Sequence, residues 1–155
     1  TIQCDFALPK RFNLSYVDAS GKEKQPIMLH RVLLGSIERF IGALLEHYAG
    51  GLPVWLAPTQ AIIIPIKSEF DEYAQRVKEK LENAPVRVKI DNRSETLDKR
   101  IREAELEKAP YILVVGSREA NQGTVAVRKK GAGDLGAMPL EGFIQRIKEE
   151  IDHKQ

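Results

Sequence analysis

Apolar and polar residues alternate at the start of the chain, with Ile2, Cys4 and Phe6 separated by Gln3 and Asp5. That is the period of a half-buried β-strand. Phe12 to Val17 repeats it more weakly, Asp18-Ala-Ser-Gly21 has turn chemistry, and Pro26 to Leu34 reads as the return strand. An antiparallel meander is predicted here. At Gly35-Ser36 the period lengthens to that of a helix: Ile37, Phe40, Ile41, Leu44, Leu45 and Tyr48 fall on one stripe. Ser36 is the predicted cap, and Gly50-Gly51 followed by Pro53 ends the helix.

Pro53 to Pro58 reads as a short ordered connector, because it is apolar and lacks Gly/Ser repetition. Beyond it strands and helices alternate. Ala61 to Ile66 is an apolar branched strand, and a helix from about Ser68 puts Phe70, Tyr73, Ala74, Val77 and Leu81 on one face. A strand at Val86 to Ile90, a charged helix from about Thr96 to Lys108 and a buried strand at Tyr111 to Val115 follow. Thr124 to Arg128 is a further strand, Gly131 to Gly136 a loop, and Phe143, Ile144, Ile147 and Ile151 mark a terminal helix after Pro139. The order β-α-β-α-β-β-α predicts an α/β domain with a mixed, mostly parallel sheet, since parallel neighbours need crossover helices.

Charged residues of both signs make up 30 % of the chain and the net charge is +2, which describes a globular surface and not a disordered tail. So small a net charge neither demands nor excludes a nucleic-acid partner, and any RNA site has to come from local clustering of basic groups. One cysteine, Cys4, excludes an internal disulfide and fits a reducing compartment. No apolar run approaches the roughly 20 residues of a membrane span. A cytoplasmic protein is expected.

Arg39 is the first candidate for chemistry. It lies in the opening turn of the Ser36 helix, opposite the apolar stripe, where a planar cation can stack on a base or fork onto phosphate oxygens beside free helix-start amides. The plain alternative is a surface arginine paired with Glu38 or Asp5. His30, His47 and His153 are dispersed, and with Cys4 better read as a core-facing strand residue they build no zinc site, which needs three protein ligands.

The run His30-Arg31-Val-Leu-Leu-Gly35-Ser36-Ile-Glu38-Arg39-Phe40 resembles motif 3 of the class II aminoacyl-tRNA synthetases. That resemblance implies that Arg39 stabilises ATP and the adenylate, that Ser36 lines the adenylate pocket and that Gln3, on the preceding active-site strand, faces the substrate. Pro26-Ile-Met-Leu-His30-Arg31 is similar to the threonyl members, where a histidine at this place is one of three ligands to an active-site zinc. Tyr48 to Pro58 resembles the family's domain junction and Gly123 to Arg128 its late strand, so the likeness covers the whole chain.

The resemblance implies two parts: residues 1–52 as the end of a class II catalytic domain, an antiparallel strand and helix fragment, and residues 53–155 as a five-stranded anticodon-binding domain. In the second, Arg93, Ser94, Glu119 and Arg128 match anticodon-reading positions, Ser94 standing where an amide side chain is usual. Arginines can fork onto a guanine edge or stack on splayed bases, and a carboxylate accepts from base N–H groups. All are expected on one rim of the sheet, with Lys99, Arg100, Arg102, Lys129 and Lys130 as phosphate contacts.

The expected parent is a homodimeric threonine–tRNA ligase using threonine, ATP with Mg²⁺, its tRNA and a Zn²⁺ held in part by His30. Motif 1, motif 2 and the two other zinc ligands would precede Thr1, so this chain alone is expected to be inactive. The alternative is a non-catalytic anticodon-binding protein acting as an RNA-binding accessory or regulatory module. An unrelated nucleotide-binding domain is disfavoured, because no Gly-rich phosphate loop follows a predicted strand.

Overall fold

The computed structural model describes residues 1–154 and divides into two compact units, Thr1–Leu44 and Leu45–Gln155. In the first unit, β1 (Ile2–Asp5) pairs antiparallel with β4 (Met28–Arg31), and Gln3 lies opposite His30. The excursion between them differs from the expected meander. A short helix, α1 (Ala7–Arg11), follows β1, and the weak strand expected from Phe12 shrinks to β2 (Tyr16–Val17). Its partner is β3 (Glu23–Lys24), and the Pro26–Leu34 segment pairs with β1 instead.

Two local features account for α1. The Asp5 carboxylate accepts the Ala7 and Leu8 amides at 2.8 and 3.0 Å, and Pro9 sits in a first turn, where its missing N–H costs nothing. Asp18 organises the β2–β3 turn in the same way, accepting the Ser20 and Lys22 amides at 2.8 and 3.1 Å.

Helix α2 (Ile37–His47) runs on from the first unit and stops where Ala49 and Gly50 take φ of 48° and 75° and the Gly50 amide returns to Leu45 O. None of its residues is buried; Ile37, Phe40, Ile41 and Leu45 are exposed and Leu44 is half-buried. Cys4 is exposed too and not core-facing, since nothing among the described residues covers that side of β1.

The second unit is an α/β sheet. Its elements are β5 (Ala61–Pro65), α3 (Asp71–Asn83), β6 (Val88–Ile90), α4 (Leu97–Leu106), β7 (Tyr111–Val115), α5 (Ser117–Gln122), β8 (Thr124–Lys129), β9 (Gly133–Pro139) and α6 (Leu140–Asp152). The five strands lie in the order β6-β5-β7-β8-β9; β5 is parallel to β6 and β7, while β8 is antiparallel to both its neighbours. Four strands thus share one direction and β8 alone opposes them.

Two parts of this unit depart from the periodicity reading. Gly133 to Gly136, expected as loop, opens β9, and the polar connection after Val115 forms α5. Both lack an apolar repeat. β9 exists because β8 offers a ladder for it to complete, with a register shift at Val127/Arg128 accommodating its glycines.

Alternation along β5 feeds two cores. Ala61 and Ile63 face α3 and α6, packing with Val77, Leu81, Leu113, Phe143 and Ile147, while Ile62 and Ile64 face α4 with Ala104 and Ile112. The α4 core draws on β5 and β7 but takes no residue from β8 or β9. On that side Thr124, Ala126 and Arg128 are only half-buried, whereas Val125 and Val127 on the other side are fully buried. The result is an open shelf of sheet beside α4.

Candidate nucleic-acid interface

In the first unit, cross-strand register puts Gln3 and His30 on one face, and Asp5, two residues from Gln3, shares it. The Asp5 carboxylate reaches His30 Nε2 at 3.2 Å as well as capping α1. The Leu8 amide, then the Ala7 amide and His30, hold that carboxyl below its ordinary range against a smaller opposing effect of burial. Asp5 is thus taken up by His30 and not by Arg39. The signal for it in the sequence was an Asx cap ahead of Ala7-Leu8-Pro9, which the strand period concealed.

Ser36 Oγ donates to Glu38 at 2.5 Å and accepts the Arg39 amide at 3.4 Å, which places Arg39 in the first turn of α2. Glu38 is therefore also occupied, and no hydrogen bond or ion pair among the described residues engages the Arg39 guanidinium. As for a metal, no group of three His, Cys, Asp or Glu among the described residues could hold one. His30 fits as a single donor: one ring nitrogen faces a carboxylate, the usual outer partner of a metal-bound imidazole, and the other is left for an ion.

In the second unit the residues expected to read the anticodon do not share one rim. Arg93 follows the carboxyl end of β6, and Glu119 lies in α5 beyond the carboxyl end of β7. Arg128 pairs instead with Ile112, near the start of β7, and points along the shelf beside α4. Three strand spacings separate β6 from β8, on the order of 14 Å. An antiparallel strand brings its far end back to the start of its neighbour, which a linear reading of strand ends does not reveal.

Acidic residues on α4 hold both arginines. Arg93 forks onto Asp91 at 2.8 and 2.7 Å and reaches Glu103 at 2.7 Å, and these bonds, Asp91 first, push its pKa upward. Arg128 is held more loosely, 3.7 Å from Glu105 and 3.9 Å from Asp134, and its buried Nε has no partner among the described residues. Glu119 commits one carboxylate oxygen to the Gly116 amide at 2.9 Å, which fixes the direction of the other. Glu103 and Glu105, as holders of the two arginines, were hidden in a helical charge run.

Two clefts flank α4. One of about 510 Å³ at its start is bounded by Lys67, Asp71, Arg93, Ser94 and Arg100; one of about 290 Å³ at its end by Glu105, Ile112, Arg128 and Gly133. Of the five expected phosphate contacts, most are used by the fold. Arg100 is 4 % exposed and donates to Asp91 O and Ile66 O, so it is a structural residue. Lys129 bonds Glu150 at 2.8 Å, and Lys130 donates to Gly51 O. Burial works to raise the Glu150 carboxyl, but Lys129 and Tyr111 outweigh it and hold the group below its ordinary range. Lys99 makes an exposed pair with Glu95, and Arg102 alone of the five has no partner among the described residues.

Residues 60–150 match the family described as the anticodon binding domain. The chain belongs to that family. Ahead of this anticodon binding domain, residues 1–48 match the tRNA synthetase class II core domain of the G, H, P, S and T group. Similar curated proteins include the threonine–tRNA ligase of Desulforamulus reducens, 50 % identical over 154 residues, and that of Aquifex aeolicus, 54 % identical over 155 residues. These alignments take in 99 % and 100 % of the chain, which spans about a quarter of the length of the curated relatives, 24 % of each. Among solved structures, the RNA binding domain of threonyl-tRNA synthetase from Cryptosporidium parvum superposes with a TM-score of 0.74 at 36 % identity, covering 96 % of this chain and 38 % of that one.

Proposed function

We propose that this chain is part of a threonine–tRNA ligase, with residues 1–52 belonging to the catalytic domain and residues 53–155 reading the anticodon. The observation that carries the reading is identity of about one half to threonine–tRNA ligases along the whole chain, across both the core match and the anticodon binding domain. The parent is read as a cytoplasmic homodimer that forms threonyl-adenylate from threonine and ATP with Mg²⁺, then transfers the threonyl group to its tRNA.

Arg39, at a helix start and with no partner for its guanidinium among the described residues, is suited to neutralise charge building up on the nucleotide phosphates. Ser36 fixes that turn, and Gln3 lies on the face shared with His30, where it can hydrogen-bond substrate. His30 is the residue here that would hold zinc. When bound, zinc supplies a Lewis acid for both the amino group and the hydroxyl of threonine, which the near-isosteric valine cannot match.

For the RNA, Arg128 on the open shelf is the better-prepared reader, because its ion pairs are long and its Nε is unmet. Arg93 has to release part of its fork on Asp91 to take a base. Glu119 presents its remaining oxygen to a base N–H, and Ser94 lines the cleft beside Arg93.

The test is binding of this chain, at fixed moderate salt, to tRNA of threonine specificity and to the same tRNA with its second or third anticodon base replaced. A loss of about 1–3 kcal/mol per replaced base is expected. Arg128→Ala should flatten the difference at one of the two positions. Equal binding to all three RNAs overturns the anticodon-reading assignment.

A further inference from the structure

The Asp5 carboxylate is held at three points. Oδ1 accepts the Ala7 and Leu8 amides at 2.8 and 3.0 Å, and Oδ2 meets His30 Nε2 at 3.2 Å across 25 residues of sequence. Two backbone donors from the first turn of α1 fix its orientation, so the contact with His30 is imposed and not a chance surface pairing. The group is also partly sheltered, with side-chain exposure of 23 % for Asp5 and 42 % for His30.

An ionised carboxylate has no hydrogen to give. The proton in this bond therefore belongs to the imidazole, and in neutral His30 it must sit on Nε2, leaving the Nδ1 lone pair free. A neutral imidazole ligates a metal only through its unprotonated nitrogen, and the hydrogen bond made by the other nitrogen selects which one that is. We propose that Asp5 is a positioning residue that sets the tautomer and ring orientation of His30, so that Nδ1 is the atom presented to a metal ion. The proposal rests on the reading of His30 as a zinc ligand given above. The same carboxylate caps α1, which couples the geometry of the ligand to the start of that helix.

Asp5→Asn separates these roles. Its side-chain oxygen can still accept the Ala7 and Leu8 amides, but its NH₂ would now face Nε2 and favour the opposite tautomer, with hydrogen on Nδ1. Two-bond ¹H–¹⁵N correlation of the imidazole in the labelled chain at pH 8 should give Nε2–H in the wild type and Nδ1–H in Asp5→Asn. In the full-length ligase, chelator competition should show zinc bound roughly 10- to 100-fold more weakly by Asp5→Asn. Dominance of Nδ1–H in the wild-type chain overturns the proposal without recourse to any variant. Unchanged tautomer and zinc affinity in Asp5→Asn overturn it too, and leave Asp5 as a helix cap only. Zinc content unaffected by His30→Ala instead overturns the metal reading of His30, while the tautomer measurement still judges the Asp5–His30 pair.

Discussion

Arg100 illustrates how a charged residue can belong to the interior. Its guanidinium bridges Ile66 O, past the end of β5, to Asp91 O, past the end of β6, so it ties the carboxyl ends of two parallel strands to α4. Arg100→Met fills much of the same volume but leaves both carbonyls without that donor. A hydrogen bond from a charged donor contributes about 1.5–3 kcal/mol, so urea unfolding should show a loss of that order. A change below about 0.5 kcal/mol would mean that water replaces the guanidinium freely. Lys130 makes a similar point, because its ammonium closes on the carbonyls of Gly51 and Leu52 instead of standing free for RNA. Spacing shows that a residue is basic; only its neighbours show whether the charge is spent.

Among the elements, α5 is the least self-sufficient, being six residues long with no buried side chain. Its position after β7 and before β8 depends on how it stops. Gly123 takes φ 67° at its C-terminus, in the left-handed region, with open space where a Cβ would project. Gly123→Ala should therefore destabilise through backbone strain alone, by about 1–2 kcal/mol. Denaturant unfolding of this variant checks it, and a neutral result would show that the turn relaxes to another conformation. By contrast the buried faces of α3 and α6 were legible in sequence, since Tyr73, Ala74, Val77 and Leu81, and Phe143 and Ile147, recur at helical spacing and are buried on one face of the sheet, although Ser68 to Phe70, expected inside α3, form a 3₁₀ turn ahead of it. Helix α4 was legible at its start, where Thr96 accepts the Lys99 amide, and its apolar side was read less easily through the charge run.

At the scale of the molecule the two units differ in how they are held. In Thr1–Leu44 the only buried residue is Pro9, while the central strands β5 and β7 are buried almost throughout. Amide hydrogen exchange should report this contrast. The amides of β1 and β4 are expected to exchange at least roughly 100-fold faster than those of Ile62 to Ile64 and Ile112 to Val115. Equal protection would mean that the first unit has a partner for its apolar surface in solution.

Local periodicity determined much of this protein. It fixed the alternation of strands and helices from residue 61 onward apart from α5 and β9, the apolar stripe of α2 and its cap at Ser36, because which face of an element is apolar is written in neighbouring residues. The residue run around Arg39, and not its periodicity, carried the likeness to the synthetase family. Tertiary structure decided what depends on distant partners: that β4 pairs with β1, that Gly133–Pro139 becomes a strand because β8 is there to receive it, and that Arg128 faces the start of β7. It also decided which charges are occupied, Asp5 by His30 and Arg93 by Asp91 and Glu103. Strand pairing and ion pairing depend on distances in space between residues far apart in the chain, and no period within the sequence encodes those distances.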